Sequence, residues 1–329
     1  MKTTLRSVDG TATIEEAKSN SYQVTVEPKD GYYSPITQVV TKYPLELIKQ
    51  ILQVKGACYL CDELAREEDE AYVNRDLGGD LTAYFIDDEF AGKRILDFGS
   101  GSGASTMVLS RMYPKAQIVG VELKEDLNGI AEARLAFYGY KNVEFHLSPS
   151  ASELPENCGK FDLVILSAVY EHMLPNERSQ ILPLIWNQIN QSGYLFINMT
   201  PHRYFPIEHH TTGLPGLNYL PDSLTYKVAS RFSNRLDAEK SWEDYLRSGI
   251  RGGTEGEILG ILRNNSTADA NLLEPQAEGI NDRIDLWYSY LNKDRKVWIK
   301  RGLKVALKSI KAITGKVLVP NLSLVIQKQ

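Results

Sequence analysis

Cysteine is scarce, with 3 residues in a chain of 329. Three thiols cannot make a disulfide framework. Cys58 and Cys61 form a C-x-x-C pair, but no second pair completes a four-thiolate zinc site. The flanking Lys55-Gly56 and Asp62-Glu63 give no strand leading into a redox motif, so these read as ordinary reduced thiols of an intracellular protein. No window approaches ~18 uninterrupted apolar residues, which excludes a membrane-spanning helix. Residues 1–20 lack the apolar core of a secretion signal, and the expectation is a cytoplasmic protein. Neither charge sign dominates: 37 Lys and Arg stand against 42 Asp and Glu, a net charge of -5. That removes the electrostatic reason to expect a nucleic-acid partner. There is no internal repeat and no low-complexity tract. What remains is ordinary globular composition, 43% hydrophobic and 24% charged, in a chain long enough to bury a sizeable core.

Three regions follow from the pattern. Residues 1–92 read as a polar tail over 1–30, with one strand at Tyr22–Val26, followed by a mainly helical segment. There Leu45, Ile48, Ile51 and Leu52 recur at helical spacing. Glu67 to Glu70 is an acidic run of the kind that usually faces solvent. Residues 93–201 alternate strand and helix: strands at 94–98, 116–121, 143–147, 161–166 and 193–198, with helices at 104–112, 127–138 and 178–189, the last kinked or split by Pro183. Such alternation predicts a parallel sheet, doubly wound with helices on both faces. Residues 202–329 hold a polar insertion rich in His, Gly and Pro, then a basic helix at 296–313 and a closing strand at 317–327.

The strongest local signal is Ile95-Leu96-Asp97-Phe98-Gly99-Ser100-Gly101-Ser102-Gly103, a strand running through glycines into a helix. Glycines allow positive φ and let a ligand approach bare backbone, and the helix start offers unpaired N–H groups. Glu122 closes the second strand about 20 residues on, where a carboxylate accepts ribose hydroxyls. Gly99-x-Gly101-x-x-Ala104 also satisfies the dinucleotide fingerprint. Asp97 decides between the two cofactors: a carboxylate repels a diphosphate but suits the ammonium and sulfonium of S-adenosylmethionine (SAM). No Gly-Lys-Ser/Thr follows, which excludes a phosphate-binding P-loop.

In this order and spacing, the residues resemble the class I SAM-dependent methyltransferases, of the type 11/12-like branch. Asp97-x-Gly99-x-Gly101-x-Gly103 resembles that family's first motif. Ser150-Ala151-Ser152-Glu153-Leu154-Pro155 resembles its D-A-x-x-L-P segment, with Ser150 where the family's Asp contacts adenine. Phe161-Asp162-Leu163-Val164 resembles its fourth strand, and Gln191-Ser192-Gly193-Tyr194 stands at its P-G-G turn. The resemblance implies a Rossmann-like seven-stranded-type methyltransferase sheet, a helical N-terminal segment over the cofactor and an insertion after strand five. It implies SAM as cofactor, held by Asp97, Gly99, Ser100, Gly101, Gly103, Glu122, Leu123, Ser150, Ala151 and Ser167.

Ligands of such sheets sit beyond the carboxyl ends of the strands. Two segments emerge there: Ser167 to His172, and Thr200-Pro201-His202-Arg203-Tyr204-Phe205-Pro206-Ile207-Glu208-His209-His210. Tyr170, His172 and Arg203 are candidates to touch the acceptor. Glu208, His209 and His210 read as a general base, as metal ligands, or as a hydrogen-bonded loop. Adjacent histidines on a strand point opposite ways, which argues against one shared ion, so no metal is expected. Thr254 with Glu257 is a capping box, and Arg251 beside that helix start is a candidate anion anchor.

The basic helix carries an apolar stripe of Ile299, Leu303, Ala306, Leu307 and Ile310. It is expected to pack that stripe on the core and leave its lysines in water, with a weak membrane-surface contact as the other reading. The expected activity is methyl transfer from SAM to a small-molecule acceptor, at oxygen. The alternatives are an NAD(P)-dependent oxidoreductase and a non-catalytic SAM-binding scaffold. Nucleic-acid methylation is disfavoured because Ser167-Ala168-Val169-Tyr170 replaces an N/D-P-P-Y/F motif.

Overall fold

The computed structural model describes residues 2–18, 20–68, 70–86, 88–156, 158–236, 239–265, 268–291 and 297–329, with the backbone alone at 67, 68 and 70–72. Asp69 of the acidic run and Lys296 of the basic helix lie outside the described residues. The first 41 residues correct the expectation of a tail. Strands β1 (Lys2–Arg6), β2 (Gly10–Ala17), β3 (Ser21–Pro28) and β4 (Gln38–Thr41) form a four-stranded antiparallel sheet in that order. The signal was a period of two: Ala12, Ile14, Val24 and Val26 are buried, while intervening Thr and Glu residues keep mean hydropathy low. That face packs on Leu47, Ile48, Ile51 and Leu52 of helix α1 (Leu45–Lys55). It also packs on Leu60, Cys61 and Leu64 of α2 (Ala57–Glu68).

A π-helical stretch, Glu70–Gly78, leads into α3 (Gly79–Tyr84) and then the main sheet. Its strands are β5 (Arg94–Phe98), β6 (Gln117–Glu122), β7 (Val143–Leu147), β8 (Phe161–Ser167), β9 (Ile189–Pro201), β10 (Ala270–Leu273) and β11 (Asn321–Lys328). Their spatial order is β10-β11-β9-β8-β5-β6-β7. The pairs from β7 to β9 are parallel, while β11 runs antiparallel to both β9 and β10. The partner of the closing strand is thus the short Ala270–Leu273, which its sequence did not reveal.

Strands buried on both faces need near-continuous apolar runs, and β8 shows why. Val164 and Leu166 face Ile181, Leu182, Ile185 and Trp186 of α6 (Pro175–Gln188). Leu163 and Ile165 face Leu77, Leu81, Phe85 and Leu109 on the opposite side. Helix α6 starts with proline at its first turn and continues through Pro183 without splitting. Helices α4 (Ala104–Met112) and α5 (Glu125–Tyr138) complete the alternation.

After β9 the insertion carries α7 (Asp222–Phe232) and α8 (Trp242–Arg247), which share a small core of Leu217, Ala229, Tyr245 and Ile250. It ends in α9 (Glu255–Asn264), whose residues Ile258, Leu259 and Leu262 join the main core. Then come α10 (Arg283–Ser289) and α11 (Val297–Thr314).

Helix α11 reverses its expected orientation. Only Leu307 of the apolar stripe is buried, while Trp298, Ile299, Leu303, Val305, Ile310 and Ile313 are exposed. The lysines turn inward instead. Lys304 meets Asp285 at 2.8 Å, Lys308 meets Asp282 at 2.7 Å, and Lys311 meets Asp282 at 3.0 Å. Asp282 and Asp285 belong to the start of α10, where only their side chains could decide the outcome. Charge-assisted hydrogen bonds to these nearly buried acids hold that face of the helix inward.

Candidate functional site

The glycine loop leaves β5 and turns into α4. Gly99, Gly101 and Gly103 have φ of 75°, 57° and 83°. A Cβ at Gly99 would lie 2.7 Å from Val169 Cγ2, and one at Gly103 would lie 2.8 Å from Ala131 Cβ, whereas Gly101 faces open space. The first and third glycines therefore let the loop pack, and the middle one leaves its backbone uncovered for a ligand. The loop is pinned by Gly99 N–H and Ser100 N–H donating to Val121 O, at 2.8 and 3.0 Å.

Glu122 stands beside the loop as expected. Its Oε2 accepts Gly101 N–H at 2.8 Å and its Oε1 accepts Lys124 N–H at 2.9 Å. A carboxylate oxygen has room for a second donor, so ribose hydroxyls can still be received. Leu123, next in sequence, is exposed. Ser148 N–H donates to Glu122 O at 2.8 Å, which brings Ser150 and Ala151 to the same edge. Ser150 Oγ donates to Glu153 Oε2 at 3.1 Å, holding the turn. Ser100 Oγ is buried and has no hydrogen-bond partner among the described residues. A buried hydroxyl without a partner is costly.

Asp97, near the end of β5, is 1% exposed. Its Oδ2 accepts Ser105 Oγ at 2.7 Å and Thr106 Oγ1 at 2.6 Å. Burial raises its pKa, against these two hydroxyls. Asp97 anchors the first turn of α4 beneath the loop, because the nearest donors are those hydroxyls. The choice between cofactors therefore passes from Asp97 to topology. The dinucleotide fold orders its strands 3-2-1-4-5-6, whereas here an antiparallel strand is inserted between β9 and β10.

A buried network missed by sequence reading ties the N-terminal layer to the loop. Glu63 of α2 accepts Ser102 Oγ and pairs with Arg134 of α5 at 3.1 Å and Lys55 at 3.3 Å. Arg134 Nη1 donates to Ser102 O and Oγ, both at 2.8 Å, and Nη2 donates to Glu63 O at 2.8 Å. Burial pushes the Glu63 pKa up, but Arg134, then Arg66 and Lys55, overcome it and hold the carboxyl at about 2.

On the acceptor side the sequence candidates separate. Ser167 ends β8, opposite Asn198 of β9. Just beyond, Ala168 and Met199 take left-handed backbone, φ 55° and 61°, strain of the kind found at working sites. Tyr170 is fully buried, with Arg178 stacked 4.4 Å from its ring centroid, and packs where a Gly253 Cβ would be 2.7 Å from Cε1. Its ring belongs to the main core.

Glu208 is likewise withdrawn. Its carboxylate accepts Thr211 N–H at 2.9 Å, Thr212 N–H at 2.6 Å and Thr212 Oγ1 at 2.6 Å. Arg203 Nη1 donates to Asn218 O. Arg251 is buried and donates to Asp222 Oδ1 at 2.8 Å, Thr225 Oγ1 at 2.7 Å and Leu220 O at 2.8 Å. These two arginines brace the insertion, since the carbonyls ending its turns need donors. His209 Nε2 lies 3.0 Å from Asn321 Oδ1. His210 faces His172, with centroids 5.6 Å apart. Desolvation by the loops packed around it, then His172, lowers the His210 pKa to about 4, although part of the ring reaches the surface.

A cavity of about 270 Å³ opens where β9 ends and β11 begins, lined by Asp80, Met199, Arg283, Trp287, Tyr290 and Ser323 among others. Burial pushes the Asp80 carboxyl up to about 6, against Tyr290, Ser323 and Asn198. Neither Asp80 nor Arg283 stands in a recognisable motif. Three separate elements bring them together.

Residues 89–215 match a family model described as a methyltransferase domain. The chain is 30% identical over 122 residues to a malonyl-[acyl-carrier protein] O-methyltransferase of Bacillus cereus, covering 37% of this chain and 42% of that protein. It is 29% identical over 158 residues to a demethylmenaquinone methyltransferase of Lactococcus lactis, covering 48% of this chain and 61% of that protein. Among solved structures, PKMT2 from Rickettsia typhi aligns with a TM-score of 0.45 at 16% identity, over 77% of this chain and 52% of that one. The chain thus spans less than two thirds of the length of each of these proteins.

Proposed function

We propose, from the match of residues 89–215 to a methyltransferase domain, that the chain is a class I SAM-dependent methyltransferase and that it methylates a small-molecule acceptor at oxygen. The observation that carries the reading is the loop at 99–103, with its uncovered Gly101, orphaned Ser100 hydroxyl and neighbouring Glu122. Gly101 and Ser100 would hold the methionine end, Glu122 the ribose, and the 148–151 turn the adenine. Bound there, SAM supplies a sulfonium methyl for in-line displacement. The protein's share is then alignment and, for a hydroxyl acceptor, a base.

The cavity beside Asp80 supports a small acceptor, since its volume of about 270 Å³ fits a compact molecule and not a polymer strand. A carboxyl with a pKa of about 6 is poised for general-base work near neutral pH. That role passes to Asp80 from Glu208, whose oxygens are committed to a turn.

Calorimetry with SAM, S-adenosylhomocysteine and NAD(P), followed by a labelled-methyl screen of small-molecule pools, tests the proposal. Micromolar binding of the adenosyl compounds and labelling of a low-mass product are expected. Dinucleotide binding without SAM binding would overturn the cofactor. SAM binding without labelling of any pool would favour the scaffold reading.

A further inference from the structure

Glu171 and His172 lie in a short turn after β8, and His210 comes from the loop after β9. Glu171 is fully buried. Its Oε2 accepts Thr200 Oγ1 at 3.0 Å, but Oε1 has no hydrogen-bond partner among the described residues and lies 3.8 Å from His172 Nε2. A buried carboxylate oxygen without a donor is expensive, and a cation would satisfy it.

His172 Nδ1 lies 2.7 Å from Arg247 O. A carbonyl only accepts, so Nδ1 carries a hydrogen, and in the neutral ring the Nε2 lone pair faces Glu171. This is the tautomer, with its outer carbonyl partner, that metal-binding histidines use. Gly249, at φ 86°, supplies the room: a Cβ there would sit 2.7 Å from His210 Cδ2 and 3.1 Å from Glu171 Cγ.

The ligand atoms of Glu171, His172 and His210 all lie within 4.8 Å of one another. We infer that these three side chains bind a divalent transition-metal ion of the zinc class. Ligands about 2.1 Å from one ion stand roughly 3.4 Å apart in tetrahedral geometry. Closing the set therefore takes about an ångström of movement, which the exposed His210 can make. Two imidazoles and one carboxylate favour zinc over magnesium, which prefers oxygen ligands and keeps its water. Three protein ligands leave one position open beside the acceptor-side loops.

The inference stands on these side chains and not on methyl transfer, so it is tested without SAM. Chelator-treated full-length protein is loaded with Zn²⁺, Co²⁺ or Mg²⁺, competed against a chromophoric chelator, and its cobalt form is read by visible absorption. One tightly held zinc per chain and visible cobalt ligand-field bands are expected. His172→Gln and His210→Gln, both at solvent-accessible positions, should each weaken zinc by more than about 100-fold with unchanged circular dichroism. Thr200→Val should weaken it by about 10-fold, and Cys58→Ser with Cys61→Ser should leave it unchanged. No stoichiometric zinc, zinc that survives both histidine substitutions, loss through the cysteines, or a preference for Mg²⁺ would each overturn the site.

Discussion

Replacing Arg134 with Met should loosen the cofactor loop and destabilise the fold in a pH-dependent way. Arg134 is fully buried between α2, α5 and the loop, and its removal leaves Glu63 in place with only Lys55, Arg66 and Ser102 to offset its charge. Glu63 is lowered from 4.5 to about 2, so its native environment contributes up to about 3 kcal/mol at neutral pH. Breaking a buried pair from one side typically costs about 3–5 kcal/mol.

The sign follows from the depressed folded pKa. The stabilisation is fully present above about 4.5 and is lost as pH falls toward about 2. The difference in unfolding free energy between wild type and Arg134→Met should therefore be about 3–5 kcal/mol at pH 7 and shrink toward pH 3. Urea titrations at four or five pH values measure it, with SAM affinity expected to drop about tenfold in parallel. A loss under about 1 kcal/mol at pH 7, or one that does not change with pH, would refute the role given to this network.

Gly103→Ala should cost about 2–5 kcal/mol, from left-handed backbone (roughly 1–2) and overpacking on Ala131 (roughly 1–3). It should also abolish SAM binding, and wild-type affinity in calorimetry would exclude the packing argument. Arg251→Ala should destabilise the chain by about 2–4 kcal/mol in urea, because the Leu220 carbonyl and Thr225 lose a buried donor. An unchanged unfolding midpoint would reinstate Arg251 as a ligand anchor. Asp80 has a folded pKa raised from 3.8 to about 6, so stability falls as pH rises through that window. Asp80→Asn should therefore stabilise at pH 7 by up to about 3 kcal/mol, have little effect at pH 4, and lower methyl incorporation. Stability unchanged at pH 7 would mean that the carboxyl is not desolvated. The exposed apolar residues of α11 lead us to expect co-sedimentation with anionic vesicles at low salt; Trp298→Ser with Ile313→Ser should reduce it, and no sedimentation of wild type would end that reading.

The alternation of apolar strands and helices over residues 93–201, and the glycine loop with Glu122 at the end of the next strand, were legible because they are local. Strand period, turn chemistry and a carboxylate at a fixed offset are written along the chain. Tertiary structure alone decided the fate of the charged groups. Asp97 was taken by two hydroxyls in the first turn of α4, and Arg251 by carbonyls from Leu217 to Leu220. The lysines of α11 turned toward α10 for the same reason. A buried polar group must find a partner, and the nearest partner in space is seldom the nearest in sequence. Asp80, Glu171 and His210 acquire their distinctive settings only where separate elements meet, and nothing in the order of residues records that meeting.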